Sequence, residues 1–192
     1  YTSTADTSST MKYPHGLDSA PAMIINKCID TNSLNWIVYH EQNTLSDAGA
    51  VNAADTHLQL NNSIISTHGI HQWNDEAPTA ELVTLGTGGA INPNNKRCLS
   101  LCFARVPGLI GIGSYTGNNS ADGPNVVIDD GGSGFKPAWI MLKKIDAAGN
   151  WFIKDNARNT HNPVNLEVYA NSTDADYSDG NSNVDFTANG FK

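Results

Sequence analysis

Asp174-Ala175-Asp176-Tyr177-Ser178-Asp179-Gly180, followed by Asp185, is the run in this sequence whose spacing comes nearest to a calcium loop. Alternating carboxylates, a glycine for a sharp turn and a late acid supply the hard oxygen ligands that Ca²⁺ prefers. Asp179 falls one residue late for the helix–loop–helix version of such a site, and no helical pattern flanks it. A solvated acidic loop accounts for the same residues. His57, His68 and His71 concentrate the chain's imidazoles. His68-Gly69-Ile70-His71 would offer two ring nitrogens to a transition metal if a third ligand converged. No cysteine or acid stands in the immediate pattern, so exposed or satisfied histidines are the plainer reading.

Catalytic patterns are absent. No G-x-S-x-G elbow occurs, and Ser114 is flanked by Ile112 and Thr116 where the elbow needs glycines. Asp129-Asp130 and Asp75-Glu76 are paired acids of the kind glycosidases use. Adjacent residues on a strand point apart, however, so each would need a partner from a distant segment. Gly86-Thr87-Gly88-Gly89 and Gly131-Gly132-Ser133-Gly134 open no helix and carry no lysine, which makes them turns rather than phosphate cradles. Aromatic faces raise the question of sugar stacking. Trp73, in the loop Gln72-Trp73-Asn74-Asp75, and Tyr177 are expected to be exposed and are the candidate ligand contacts. Trp36, Trp139 and Trp151 lie in strand-like runs and are expected in the core.

Composition narrows the partners. The chain has 192 residues, a formal net charge of -8 and only 16% charged residues. No cluster of lysine and arginine is present to displace counterions from phosphates, which argues against nucleic acid and against an anionic membrane surface. No stretch is apolar and long enough to insert as a spanning helix. Cys28, Cys98 and Cys102 are too few for a disulfide scaffold. Cys98 and Cys102 share a strand face, with Cα atoms roughly 13 Å apart, too far to bond each other. Cys28 would meet one of them only if their strands are neighbours. Buried free thiols, made in a reducing cytosol, are the reading that fits.

The elements that must position these residues are strands. No window shows sustained i, i+3, i+4, i+7 apolar spacing. Short β-branched and aromatic runs bounded by Gly, Asn, Asp and Pro predict strands over 22–27, 36–40, 57–61, 81–85, 97–106, 111–115, 125–128, 138–144, 151–155, 166–170 and 184–187. Asp30-Thr31-Asn32-Ser33 and Asp146-Ala147-Ala148-Gly149 read as hairpin connections. The fold class is all-β, an antiparallel sandwich of jelly-roll or lectin-like kind. Residues 97–106 carry apolar or small side chains on both faces, which predicts a central strand covered on both sides. Residues 1–10 and 117–134 read as exposed linkers or long loops.

The sequence also repeats itself. Pro21-Ala22-Met23-Ile24-Ile25-Asn26-Lys27 returns as Pro137-Ala138-Trp139-Ile140-Met141-Leu142-Lys143, and Asn35-Trp36-Ile37-Val38 as Asn150-Trp151-Phe152-Ile153. A period of about 115 residues is the size of one compact domain. It divides the chain into a first β module, 1–114, and a second, incomplete one, 115–192, which lacks a counterpart of the run 97–106. A sheet without that strand would have an open edge, to be completed by further chain or by a strand from a neighbouring subunit.

Several runs together resemble an uncharacterised β-rich domain of bacteriophage tail and virion structural proteins, marine phages in particular, often found beside lectin-like modules. They are Tyr13-Pro14-His15-Gly16-Leu17, Gly113-Ser114-Tyr115-Thr116-Gly117-Asn118, Asp122-Gly123-Pro124, Gly134-Phe135-Lys136-Pro137-Ala138-Trp139, Gly149-Asn150-Trp151, Asp155-Asn156-Ala157-Arg158 and Asn189-Gly190-Phe191-Lys192. The resemblance implies a virion-associated role, no catalytic residues to carry over, and chain continuing beyond Gly-Phe-Lys. The expectation is a non-enzymatic structural module of a phage tail fibre or other appendage, folded in the host cytoplasm. It would assemble with itself or with other virion proteins and need no cofactor unless calcium binds. A module that binds a host-surface glycan, and an extracellular filament subunit completed by strand donation, are the rival expectations.

Overall fold

The computed structural model describes residues 1–3, 9–178, 180 and 182–192. Its regular structure is fourteen strands and one 3-10 turn, Ala53–Asp55. The strands are β1 Met11–Pro14, β2 Met23–Cys28, β3 Ile37–His40, β4 Leu45–Ser46, β5 Gly49–Ala50, β6 Thr56–Gln59, β7 Thr67–His68, β8 Leu82–Leu85 and β9 Cys98–Phe103. They continue with β10 Val126–Val127, β11 Trp139–Lys143, β12 Trp151–Asp155, β13 Val168–Tyr169 and β14 Gly190–Phe191. Every strand pairing is antiparallel. The chain is all-β and sandwich-like, as its alternating apolar runs predict.

The chain divides into two compact units, one of Tyr1–Ala104 with Lys144–Gly149, the other of Arg105–Lys143 with Asn150–Lys192. In the first, a five-stranded sheet of order β7-β6-β3-β2-β9 is faced by the pair β1-β8. Ile24, Ile37 and Tyr39 of the larger sheet meet Tyr13, Val83 and Leu85 of the smaller, with Trp73 and Ile91 filling the layer between. Each such side chain contributes about 1.5–3 kcal/mol when fully buried. In the second unit, a three-stranded sheet β11-β12-β13 lies with the pair β10-β14. Its core is Ile140, Val164, Val184, Phe186 and Phe191.

The two larger sheets share a register. Met23 lies opposite His40 and Ile24 opposite Tyr39, while Trp139 lies opposite Asp155 and Ile140 opposite Lys154. On the next strand, Val38 faces Leu58 and Ile153 faces Val168. A side-chain clasp recurs with them. Asn61 accepts from the Trp36 amide at 2.9 Å and donates to Asn35; Asn171 accepts from the Trp151 amide at 2.8 Å and donates to Asn150. The smaller sheets are antiparallel pairs too, Met11 facing Leu85 and Val126 facing Phe191.

Three sequence expectations are corrected. The run 97–106 is not a central strand: β9 ends its sheet, with Leu99 43% and Leu101 38% exposed. Apolar content on both faces misled, because one face meets solvent. The head of the chain is not a linker throughout. Tyr1 exchanges bonds with the Cys98 backbone and Thr2 bridges Arg97, so residues 1–3 line the start of β9. No strand forms over 111–115; there Ile112 donates to the Asp129 carbonyl at 2.8 Å. A side chain at Gly111 would overlap Ile128, so only glycine fits that approach.

Candidate functional site

The feature with the clearest chemical capacity is the outer side of β11. In the first unit, β2 sits between β3 and β9. The Glu41 amide bonds the Ala22 carbonyl, so the intervening Met23 and Ile25 direct their backbone groups away from β3, toward β9. In the second unit the Asn156 amide bonds the Ala138 carbonyl in the same way. Trp139 and Met141 therefore direct their backbone groups outward. Among the described residues no strand pairs with that side. A short row of donors and acceptors of this kind is a template for an added strand. Trp139, expected in the core, is 52% exposed on it. Its alternation along β11 places it opposite in facing to the buried Ile140, and the sequence could not say that the face it occupies is open.

β9 shows what kind of strand such an edge accepts. It pairs with β2 from Met23–Phe103 to Cys28–Cys98. Arg97, just before it, binds Asp30 of the β2–β3 connection through its Nε, a guanidinium nitrogen and its own backbone amide, at 2.9, 2.7 and 2.6 Å. That contact holds the Asp30 carboxyl below its ordinary range. In the β11–β12 connection Asp146 occupies the corresponding place in the chain.

The second unit also buries an ion pair. Lys154 on β12 and Glu167, just before β13, lie 2.9 Å apart and are both sealed from solvent. Glu167 further accepts from Tyr169 and Ser182, each at 2.6 Å. Burial alone would push its carboxyl up, but the bonds from Ser182, Tyr169 and Lys154 outweigh it and hold it below the ordinary glutamate value. Asp130 is likewise buried and accepts from the amides of Gly108, Gly132 and Gly134. The Gly108 amide first, with the other two, keeps it ionised to lower pH than usual. Its paired acid Asp129 bridges Arg105 at 3.0 Å. These carboxylates are fully engaged in holding turns and strands.

The residues singled out in the sequence are placed as follows. Trp73 is fully buried, edge-on to Tyr39 with centroids 5.5 Å apart, and is a core residue rather than an exposed ligand contact. Its polar, turn-rich neighbourhood gave no sign of this. Tyr177 is 51% exposed, and its backbone bridges that of Glu167. Asp174, Asp176 and Asp185 are exposed, Asp174 accepting from the Ser172 hydroxyl at 2.6 Å, and Asp179 lies outside the described residues. Among the described residues no three His, Cys, Asp or Glu side chains converge as metal ligands. His57 is buried and burial pushes its pKa down, while His68 and His71 are exposed. Asp75 accepts from Asn52 at 2.8 Å and Glu76 pairs with Lys12. The three cysteines are free thiols.

No curated protein and no solved structure matches the chain. One family model does, over residues 1–192, and the chain therefore belongs to the family described as domain of unknown function DUF7483.

Proposed function

We propose that this chain is a non-enzymatic structural module of a virion, in a phage tail fibre or other appendage, that assembles with copies of itself and with neighbouring virion proteins. The observation that carries the assembly reading is the outer side of β11, with which no strand among the described residues pairs, whereas the first unit's equivalent strand is paired there with β9. A strand of β9 character added there would satisfy the outward backbone groups of Trp139 and Met141 and cover the exposed indole. β9 is itself an edge strand. Among the described residues no strand covers the outer side of β9 beyond Cys98, and Leu99 and Leu101 are exposed beside it. Joining the β9 edge of one copy to the β11 edge of the next is a heterologous, head-to-tail contact, and such contacts build rings or filaments. The virion assignment rests on the resemblance of the Gly113–Trp151 region to phage structural domains.

Sedimentation velocity over a concentration series tests the assembly reading. The chain is expected to form concentration-dependent oligomers. Met141→Pro removes an outward N–H without touching the β11–β12 bonds, and is expected to return the chain to monomer with its far-ultraviolet spectrum unchanged. A chain that stays monomeric at millimolar concentration sinks self-assembly. Peptides of this chain missing from purified particles that contain the other appendage proteins would sink the virion assignment.

A further inference from the structure

We propose that Cys28 and Cys98 form a redox-modifiable pair, which closes to a cross-strand disulfide clamping the edge strand β9 onto β2. The inference stands apart from the assembly reading. The two residues are directly opposite in the β2–β9 ladder, and both are buried on the same face of the sheet.

Three hydrogen bonds fix the type of pair. The Ile29 amide donates to the Arg97 carbonyl at 2.9 Å, so the neighbouring positions, 28 and 98, form a pair without mutual hydrogen bonds. Cys98 agrees: its amide donates to the Tyr1 carbonyl at 2.9 Å and its carbonyl accepts from the Tyr1 amine at 3.2 Å, so both groups point away from β2. Pairs of this type hold their Cα atoms about 4.5 Å apart, with side chains closer than at the alternate sites. A disulfide spans Cα separations of roughly 4.4–6.8 Å. Cys102 is excluded as a partner of either. It lies opposite Ile24, four residues along β9 from Cys98, and its thiol stands within reach of Tyr13 and Ser100 instead. Burial pushes the Cys98 thiol up to about 11, with the neighbouring Cys28 adding to the rise, so little thiolate is present at neutral pH and the pair closes slowly.

The oxidant is a small disulfide of the glutathione class. One cysteine thiolate attacks it, forming a mixed disulfide and releasing one small thiol. The second cysteine thiolate then attacks the mixed disulfide at the protein sulfur and releases the other. Two protein thiols are oxidised by two electrons, one small disulfide is reduced, and the two protons end on the two released thiols. The product pins β9 to β2 at the end of β9 that the Tyr1 and Thr2 backbone also lines.

The test is incubation of the full chain with oxidised glutathione, followed by quenching, alkylation in denaturant and peptide mass spectrometry. The expected product is an intramolecular Cys28–Cys98 bond with Cys102 alkylated, and an unfolding midpoint in urea above that of the reduced chain. Cys102→Ser should give the same bond at the same rate. Cys28→Ser should give no intramolecular bond, and if that variant does not fold, the Cys102→Ser result decides. Three alkylated thiols after exposure, or a bond that includes Cys102, overturns the proposal.

Discussion

Tyr39 in the first unit and Lys154 in the second hold the same place in the same register, each opposite an isoleucine of the preceding strand. His57 and Glu167 correspond likewise, one residue before Leu58 and Val168. In the first unit Tyr39 packs edge-on against Trp73 in an aromatic and aliphatic core. In the second, the same interior position is an ammonium against a carboxylate. Backbone register and the asparagine clasp stay constant while the chemistry at these two interior positions changes, beside a core that is apolar in both units. A strand ladder specifies only that alternate side chains point inward. Whether they meet as rings or as ions is left to the residues that fill the space, and a buried charge is tolerated only because every oxygen of Glu167 has a partner.

Removing one member of that pair should give the largest effect. Lys154→Ala leaves a buried carboxylate without its cation and is expected to cost about 3–5 kcal/mol, read as a lowered midpoint in urea. Replacing both partners by apolar residues, Lys154→Met with Glu167→Leu, should recover most of that loss, since the pair's desolvation cost disappears with it. Trp73→Ala tests the other unit and should cost about 3–5 kcal/mol through the cavity it opens. A double apolar variant no more stable than Lys154→Ala would break the comparison, because the ion pair would then be contributing more than its replacement by packing can.

Acid should separate the two units next. The carboxyls of Glu167 and Asp130 are held below their ordinary values in the folded second unit. A depressed folded pKa means stability that is fully present above the unfolded value, about 4, and is lost as pH falls through the folded value. In the first unit the lowered carboxyls, Asp30 and Glu76, sit in solvent-exposed ion pairs that contribute little, and Asp55 runs the other way: burial, with Asp75 beside it, raises its pKa, so its contribution is present at low pH and falls as pH rises. Hydrogen exchange at pH 3 should therefore show faster loss of protection in β12 and β13 than in β2 and β3. Equal loss in both would show that the units share one cooperative transition.

How much of this was legible depended on what each residue's neighbours reveal. The strand runs around Met23, Ile37, Trp139 and Trp151 announced themselves by alternation, and each forms a strand. The fate of the aromatics was hidden. Trp73 sits among Gln72, Asn74 and Asp75, a loop composition, yet its loop folds back into the core and Asn74 and Asp75 take positive φ to make that turn. Trp139 has the sequence surroundings of a core strand, but it lies on the face of β11 opposite the buried Ile140 and is exposed there. The Lys154–Glu167 pair carried no local signal at all, since thirteen positions separate two charges that look like ordinary surface residues. Pairings set by sheet order, rather than by spacing along one strand, are what a single sequence leaves out.

The smallest effect tests the frame itself. Asn61 and Asn171 each tie a strand end to the start of the neighbouring strand, accepting from a tryptophan amide and donating to an asparagine carbonyl. Each clasp replaces water at groups near the surface, so its net worth is that of ordinary hydrogen bonds, about 0.5–1.5 kcal/mol apiece. Asn61→Ala and Asn171→Ala are expected to destabilise by similar amounts within that range. Asn→Asp at either site keeps the acceptor for the tryptophan amide but puts a carboxylate against the carbonyl of Asn35 or Asn150, and should cost at least as much. Because the two clasps lie in different units and share no partner, the double alanine variant should show the sum of the single losses. Unequal single losses would mean that the same backbone geometry is held by different forces in the two units, as the positions of Tyr39 and Lys154 already are.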